Sequence, residues 1–395
     1  MPSPAGVPAA RPDPLGNPCV TCGGFGRIVG LAAENGKPLW NFNVVPQPGE
    51  AGTNSWNDLP FSGRSGGSVW TSGYYDPALD LAFFGTGNTY NTAPLAQPLG
   101  KPGVTNDALY TDSTVALRPA TGKVVWHFQH QANDQWDLDW AFERMIVPLT
   151  IKGRTTKAVV TVGKMGIADA LDAATGRYLF SVDAGLQNVV TAIDPVTGRK
   201  ATDPALIPGP GKTATVCPAQ NGAKNWIPGA YDAAQATLFL PLNAACMEMV
   251  PVDPGEMSPL SSGIRWSLLP RPDSDGHYGR VQALDLDTRK TRWIAEQRAP
   301  MTSGVLATAG GLVFAGGLDR MFSAFDAAAG KLLWSARLGD IPTGAPITFA
   351  VDGRQYIAIV AGYGTMLSGG YLSLVPEIAV PTTPSSSIYV FELPR

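Results

Sequence analysis

Five stretches of this chain repeat one plan: apolar alternation, a polar turn that in most copies closes on Gly-Lys or Gly-Arg, then an aromatic residue. They are VGLAAENGKPLW (29–40), VALRPATGKVVW (115–126), DALDAATGRYLF (169–180), VQALDLDTRKTRW (281–293) and FSAFDAAAGKLLW (322–334). A period-2 pattern on both sides of a tight turn is a β-hairpin. Asp, Asn, Thr and Gly supply the backbone angles that such a turn needs. Further strand pairs lie between the copies. VWTSGYYDPALDLAFFGTG (69–87) and NWIPGAYDAAQATLFLPLN (225–243) turn at DPALD and DAAQA, and residues 304–326 and 344–362 form two more meanders. Almost nothing has the period of an amphipathic helix. Four-stranded units recurring at roughly 40 to 50 residues predict an all-β fold, a β-propeller.

Composition narrows what such a fold can do here. Net charge is −3 and no run of like charge occurs, so the chain carries no footprint for nucleic acid or an anionic membrane. No stretch of about 18 apolar residues exists to span a bilayer. The start, MPSPAGVPAARPDPLGNPC, lacks the apolar core of a signal peptide, and residues 1–24 are expected to be a loop ahead of a propeller over 25–395. CVTC (19–22) is followed by Gly23 rather than the His of a haem attachment site, and no second such pair exists to complete a zinc site. H-E-x-x-H does not occur, and no Gly-flanked serine reads as a nucleophile elbow. None of the three histidines, His127, His130 and His277, sits in a metal motif, and His127 and His130, at a strand end, are expected to be structural or exposed.

One segment concentrates charge in a chain that is only 15% charged: NDQWDLD (133–139). Asp137 and Asp139, two apart, face the same way on an extended backbone, where two like charges need compensation. A polar turn and half of a metal site both fit that pattern.

The turn repeat resembles the tryptophan-docking repeat of the PQQ-dependent (quinoprotein) alcohol and methanol dehydrogenases, which are eight-bladed propellers using pyrroloquinoline quinone (PQQ) and a metal. The resemblance covers about residues 25 to 395 and implies about six blades in this chain, an incomplete propeller lacking the N-terminal blades. GGSVWTSGYYDPALDLAFFGTGN (66–88) is similar to the family segment in which Trp70 would lie against the PQQ ring and Asn88 would give an oxygen to the metal. An indole face suits a planar conjugated cofactor, and a hard cation takes oxygen ligands. HFQHQANDQWDLDWAF (127–142) resembles the segment of the catalytic base. By that match Asp137 takes the alcohol proton beside the metal, and Asp139 corresponds to the extra carboxylate of lanthanide-using members, so the cation is Ca2+ or a lanthanide ion. The likeness implies that Lys164 contacts the quinone oxygens, that Asn225 contacts PQQ, and that Cys217 and Cys246 form a disulfide.

The implied reaction is oxidation of an alcohol to an aldehyde or ketone. Hydride passes to the quinone, and electrons go to a separate acceptor such as a cytochrome c, in the periplasm. The likeness fails where the family's metal-binding Glu falls near Thr21 or Cys22, since CVTCGGFG has no carboxylate, and MTSG (301–304) also departs. A truncated product, or a divergent member closing with fewer blades, would explain this. The alternative function is a non-catalytic propeller acting as an interaction scaffold.

Overall fold

The computed structural model describes residues 26–209, 211–252, 264–362, 370–383 and 385–392. The N-terminal segment of the sequence reading, with Cys19 and Cys22, lies outside them.

The described residues form β-sheets and short 3-10 turns, with no α-helix. Four antiparallel four-stranded sheets follow one another along the chain. Sheet A holds Tyr74–Asp76, Leu81–Gly85, Ser113–Leu117 and Val124–Gln129; sheet B holds Met145–Ile151, Arg154–Val162, Ile167–Asp172 and Tyr178–Asp183. Sheet C is built from Ala230–Asp232, Thr237–Asn243, Gly279–Asp285 and Lys290–Gln297, and sheet D from Leu306–Ala307, Leu312–Gly316, Met321–Asp326 and Leu332–Arg337. The hairpin Arg27–Leu31/Pro38–Asn43 precedes them, and sheet E (Ile347–Val351, Arg354–Gly362, Ser386–Glu392) follows.

The sheets pack face to face, and the inner strands are buried on both sides. In sheet A, Phe83 enters the core shared with sheet B, while Ala82 and Phe84 enter the core shared with the first hairpin. In sheet C, Leu238, Leu240 and Leu242 face sheet B while Phe239 faces sheet D. Period-2 geometry thus feeds two cores at once, which is why these strands read as continuous apolar runs. Each fully buried Leu or Phe contributes about 1.5–3 kcal/mol. This is the all-β propeller arrangement expected from the repeats.

The repeat's Gly and Trp dock neighbouring sheets. Gly122, Gly176 and Gly330 adopt φ +68°, +72° and +69°, and a Cβ at each would stand 2.3–2.5 Å from the ring of Trp40, Trp126 or Trp293. Only glycine meets both demands, a left-handed φ and a flat ring pressed onto the backbone. Each indole Nε1 then donates to the carbonyl three residues before its glycine: Pro119 (2.8 Å), Ala173 (3.2 Å) and Ala327 (2.9 Å). Trp334, in the last copy, has no such glycine beneath it among the described residues. It is 39% exposed and meets Phe322 and Phe391 edge-on. Beyond it, the outer face of sheet E leaves Ile347, Phe349, Val351, Val360, Ile388 and Val390 exposed.

Long connections carry the rest. Residues 86–112 join two strands of sheet A, and residues 244–278 join two strands of sheet C. The second connection includes strands Ala245–Pro251 and Ile264–Pro270, which pair with each other, and Ala245–Pro251 pairs on its other edge with Ala214–Val216. Their side chains form a core with Trp136, Leu138 and Trp140, the apolar half of the acidic segment.

Candidate active site

The segment 134–142 alternates as its sequence does. Trp136, Leu138 and Trp140 enter the core, and Asp137 and Asp139 stand on the other side. Asp134 sets the turn: its carboxylate accepts the amides of Trp136 (2.9 Å) and Leu138 (2.6 Å). Asp134 is thus a turn residue, and a fully buried one. Asp137 sits at φ +60°.

The compensation that two neighbouring carboxylates need comes from sheet B. Lys164, in the turn after strand Arg154–Val162, places its ammonium 3.0 Å from Asp137 Oδ1 and 3.3 Å from Asp139 Oδ2. It also donates to the Asp137 carbonyl at 2.9 Å. The other Asp137 oxygen accepts from Gln220 Nε2 at 2.6 Å. All four residues are buried. Burial pushes the Asp137 carboxyl up to about 8, against the Lys164 charge that lowers it, and Asp139 adds to the rise. Burial likewise takes Asp134 to about 6. For Lys164 burial works against the charge, but Asp137 and Asp139 outweigh it and keep the ammonium protonated.

Residues that sequence reasoning missed complete the surroundings. Tyr90, two residues after Asn88, hydrogen-bonds Ser68 and lies in the field of Asp139 and Asp137; burial, with those charges, raises its phenol to about 12. Trp70 is held edge-on by Phe142 (5.3 Å, 87°) and Trp226 (5.8 Å, 79°), leaving its own ring half-buried. Gly87 passes so close that a Cβ would come within 3.3 Å of Trp70 Nε1. Lys224, fully buried, pairs with Glu143 (2.7 Å), lies over the Phe142 ring and donates to the Asn225 carbonyl. Aromatic and ionic neighbours brought together from distant connections of the chain leave no local pattern in a sequence.

The sequence-predicted residues fall into two groups. Asp137, Asp139 and Lys164 are in direct contact. Trp70 and Asn88 flank a second network, in which the Gly87 amide donates to the Ser68 carbonyl and Ser68 bonds Tyr90, whose phenol feels the charges of Asp137 and Asp139. Asn88 is buried, and its amide donates to the Thr89 carbonyl at 3.2 Å. Asn225 is turned to its own loop, donating to Asn221 O (2.9 Å) and accepting from Trp226 N (2.8 Å).

Behind the acidic segment, His130 contradicts any reading as exposed. It is fully buried, stacks on Trp140 (4.4 Å, 6°), and bonds Asp169 Oδ2 and Thr114 Oγ1, each at 2.7 Å. Lys200 neutralises Asp169 at 2.6 Å and lies 4.8 Å over Trp140. Burial lowers His130 to about 4, against the pull of Asp169. Arg144 donates to the carbonyls of Trp140 and Phe142 at 2.7 and 2.6 Å, clamping the other end of the segment. His127 is exposed.

Cys217 and Cys246 form a disulfide with Cα atoms 4.2 Å apart. It ties the loop that delivers Gln220 to the inserted strands.

Among the described residues no helix is long and apolar enough to cross a membrane. No three His, Cys, Asp or Glu there stand in a ready-made metal shell. The residues nevertheless suit a hard cation, because Asp139 Oδ1 is buried without a partner beside the Asp137 carboxylate. The half-buried Trp70 ring in its aromatic frame suits a planar cofactor.

Comparison with known proteins agrees with the architecture. The europium-containing methanol dehydrogenase superposes with TM-score 0.81 at 26% identity, covering 93% of this chain and 70% of that one. The quinohemoprotein alcohol dehydrogenase from Comamonas testosteroni gives TM-score 0.76 at 28% identity, covering 87% of this chain and 53% of that one. In sequence, the chain is 33% identical over 372 residues to the quinoprotein alcohol dehydrogenase PedE of Pseudomonas putida, and 32% identical over 373 residues to PedH of the same organism. Those matches cover 88% and 87% of this chain but 57% and 60% of the relatives, so the chain spans less than two thirds of their length. The family profile for the glucose/ethanol/alcohol dehydrogenase β-propeller domain that binds PQQ matches residues 21–204 and 201–357. By this coverage, the chain belongs to the PQQ-dependent alcohol dehydrogenase β-propeller family.

Proposed function

We propose that this chain oxidises a small alcohol to the aldehyde or ketone using PQQ and a bound cation. The observation that carries the reading is the buried Asp137–Lys164–Asp139 cluster, in a segment whose Phe142 frames the Trp70 ring. Burying three charges is costly and gives a scaffold nothing, whereas it supplies a catalytic centre with a base and its counterion.

Trp70 offers its ring to the flat cofactor, and Lys164 and Asn225 supply donors to its oxygens. Asn225 has a second amide hydrogen beyond the one given to Asn221. Asn88, Asp137 and Asp139 hold the cation, Ca2+ or a lanthanide ion. The quinone, when bound, supplies the two-electron acceptor. The residues do the rest. Asp137 takes the hydroxyl proton on its carboxylate. Gln220 and Lys164 hold that carboxylate in place and, by favouring its charged form, release it for the next proton. Trp136, Leu138 and Trp140 keep water from the back of the segment. Electrons leave to a separate acceptor such as a cytochrome c, and the compartment is the periplasm.

The test adds PQQ with Ca2+, or with a light lanthanide, and follows dye reduction with primary alcohols while monitoring tryptophan fluorescence. The proposal expects turnover with one of the metals and quenching of Trp70. Neither turnover nor quenching under either metal would refute it.

A further inference from the structure

Two stretches of chain meet around Trp70. One is the acidic segment, whose Phe142 stands edge-on to the Trp70 ring at 5.3 Å. The other is the loop 217–226, whose Trp226 stands edge-on to the same ring at 5.8 Å. That loop starts at the Cys217–Cys246 disulfide. It reaches the acidic segment through Gln220, which donates to Asp137, and it reaches Lys164 through the Ala223 amide, which donates to the Lys164 carbonyl at 2.7 Å. Gly222, at φ +78°, passes so near Lys164 that a Cβ would come within 2.7 Å of its Cγ.

One buried ion pair joins the two stretches at their aromatic ends. Lys224 Nζ lies 2.7 Å from Glu143 Oε2, across 81 positions of sequence. The same ammonium donates to the Asn225 carbonyl at 2.8 Å and stands 5.0 Å over the Phe142 ring. The second Glu143 oxygen accepts the Gly229 amide at 3.0 Å. Glu143 directly follows Phe142, and Lys224 lies two residues before Trp226, so the pair spans the two rings that frame Trp70. The Lys224 side chain is 0% exposed. Desolvating an ammonium that completely offsets most of the attraction to its partner, so such a pair adds little net stability. What it supplies is geometry: one cation holds a carboxylate, a carbonyl and a ring face in fixed relation. Among the described residues neither Lys224 nor Glu143 bonds Asp137, Asp139 or Lys164. The pair therefore bears on the ring frame and not on the base.

We propose that Lys224 and Glu143 are positioning residues for the flat cofactor: their ion pair sets the separation of Phe142 and Trp226, and through it the orientation of the Trp70 ring. This rests on the PQQ reading given above. With the pair intact the frame is ordered before the cofactor arrives; without it, the frame must be ordered during binding, and affinity falls.

The test needs no turnover. PQQ is titrated into the purified chain with Ca2+ present, and binding is read as quenching of tryptophan fluorescence. Wild type, Lys224→Met, Glu143→Gln and the double variant are compared, and the thermal midpoint of each is measured. Gln keeps an acceptor for the Gly229 amide, and the double variant leaves neither charge unpaired. It is therefore expected to fold, with a midpoint within about 4 °C of wild type. The proposal expects the double variant to bind PQQ about 10-fold more weakly all the same, equivalent to about 1.4 kcal/mol, and Lys224→Met to weaken it at least as much. If wild type is quenched and the double variant binds within about twofold of it, the role given to the pair is wrong and the PQQ reading stands. If PQQ does not quench wild type at all, the PQQ reading falls, and the role of the pair with it. A double variant that fails to fold, or weakening seen only in variants whose midpoint drops, would show a merely structural pair and overturn the proposal.

Discussion

Replacing Lys164 with Met tests the central cluster, because Met keeps much of the side-chain length and removes the charge. The ammonium lies 3.0 Å from one Asp137 oxygen and 3.3 Å from one of Asp139. At an effective dielectric of about 20, each contact is worth roughly 5 kcal/mol of gross Coulomb energy. Desolvating the ammonium offsets several kcal/mol of that. Removing one partner of a buried pair costs about 3–5 kcal/mol, while an exposed pair is worth about 0–1. Lys164 is 7% exposed, so the larger figure applies. The loss also depends on pH, with a fixed sign. Asp137 has a folded pKa near 8 against 3.8 as the ordinary value. A raised carboxylate contributes stability that is present below its unfolded pKa and lost as pH rises through the folded one. Without Lys164 the Asp137 carboxyl moves further up, so around and above pH 8 the folded variant keeps a proton that wild type gives up. Its deficit relative to wild type then grows there by up to about 1.4 kcal/mol per pH unit. Urea unfolding of both proteins, without metal, at about pH 7 and about pH 9 measures this. A deficit below 1 kcal/mol, or one that shrinks as pH rises, would refute the reasoning.

Three further outcomes follow from the packing. Trp126→Ala should cost about 3–5 kcal/mol as a buried aromatic truncation, and Trp334→Ala, whose exposed ring docks on no glycine among the described residues, under about 1 kcal/mol; equal losses in thermal unfolding would show that the Gly–Trp contact is not what couples the sheets. Converting Cys217 and Cys246 to Ala opens a loop of 29 residues, for which chain entropy gives about 3–4 kcal/mol; denaturation midpoints that do not move would contradict it. His130 is lowered to about 4 from 6.5, so its neutral form stabilises the fold above pH 6.5 and that stability is lost as pH falls. Asp137 and Asp134 respond in the opposite sense, so the measurement is a difference: wild type should lose about 2 kcal/mol more than His130→Gln between pH 7 and pH 5, and identical profiles would show that His130 is not held neutral.

The fold was legible because its signal is local. Each hairpin announces itself through a turn and alternation within about a dozen residues, and Gly122, Gly176 and Gly330 sit where the repeat put them. NDQWDLD was legible for the same reason, since Asp137 and Asp139 face one way and Trp136 and Trp140 the other. What escaped was everything assembled at a distance. Gln220 reaches Asp137 across 83 positions, and Lys224 meets Glu143 across 81. His130 and His127 are three apart in one strand end, yet one is enclosed by Asp169, Lys200 and Trp140 and the other faces solvent. No property of the histidines distinguishes them; the neighbouring sheet does.

The arrangement also explains why the acidic segment can hold its shape without a metal. Its carboxylates repel one another, and a loop carrying them would open if nothing held its back. Three anchors do: Asp134 closes the turn onto the Trp136 and Leu138 amides, Arg144 takes the Trp140 and Phe142 carbonyls, and His130 with Lys200 clamps the Trp140 ring. All three act on backbone or aromatic atoms, so none of them neutralises Asp137 or Asp139. Placement and charge are therefore supplied by different residues. A site built this way keeps its carboxylates aimed while leaving most of their charge to Lys164 and to whatever cation enters, which is the preorganisation that binding and proton abstraction both need.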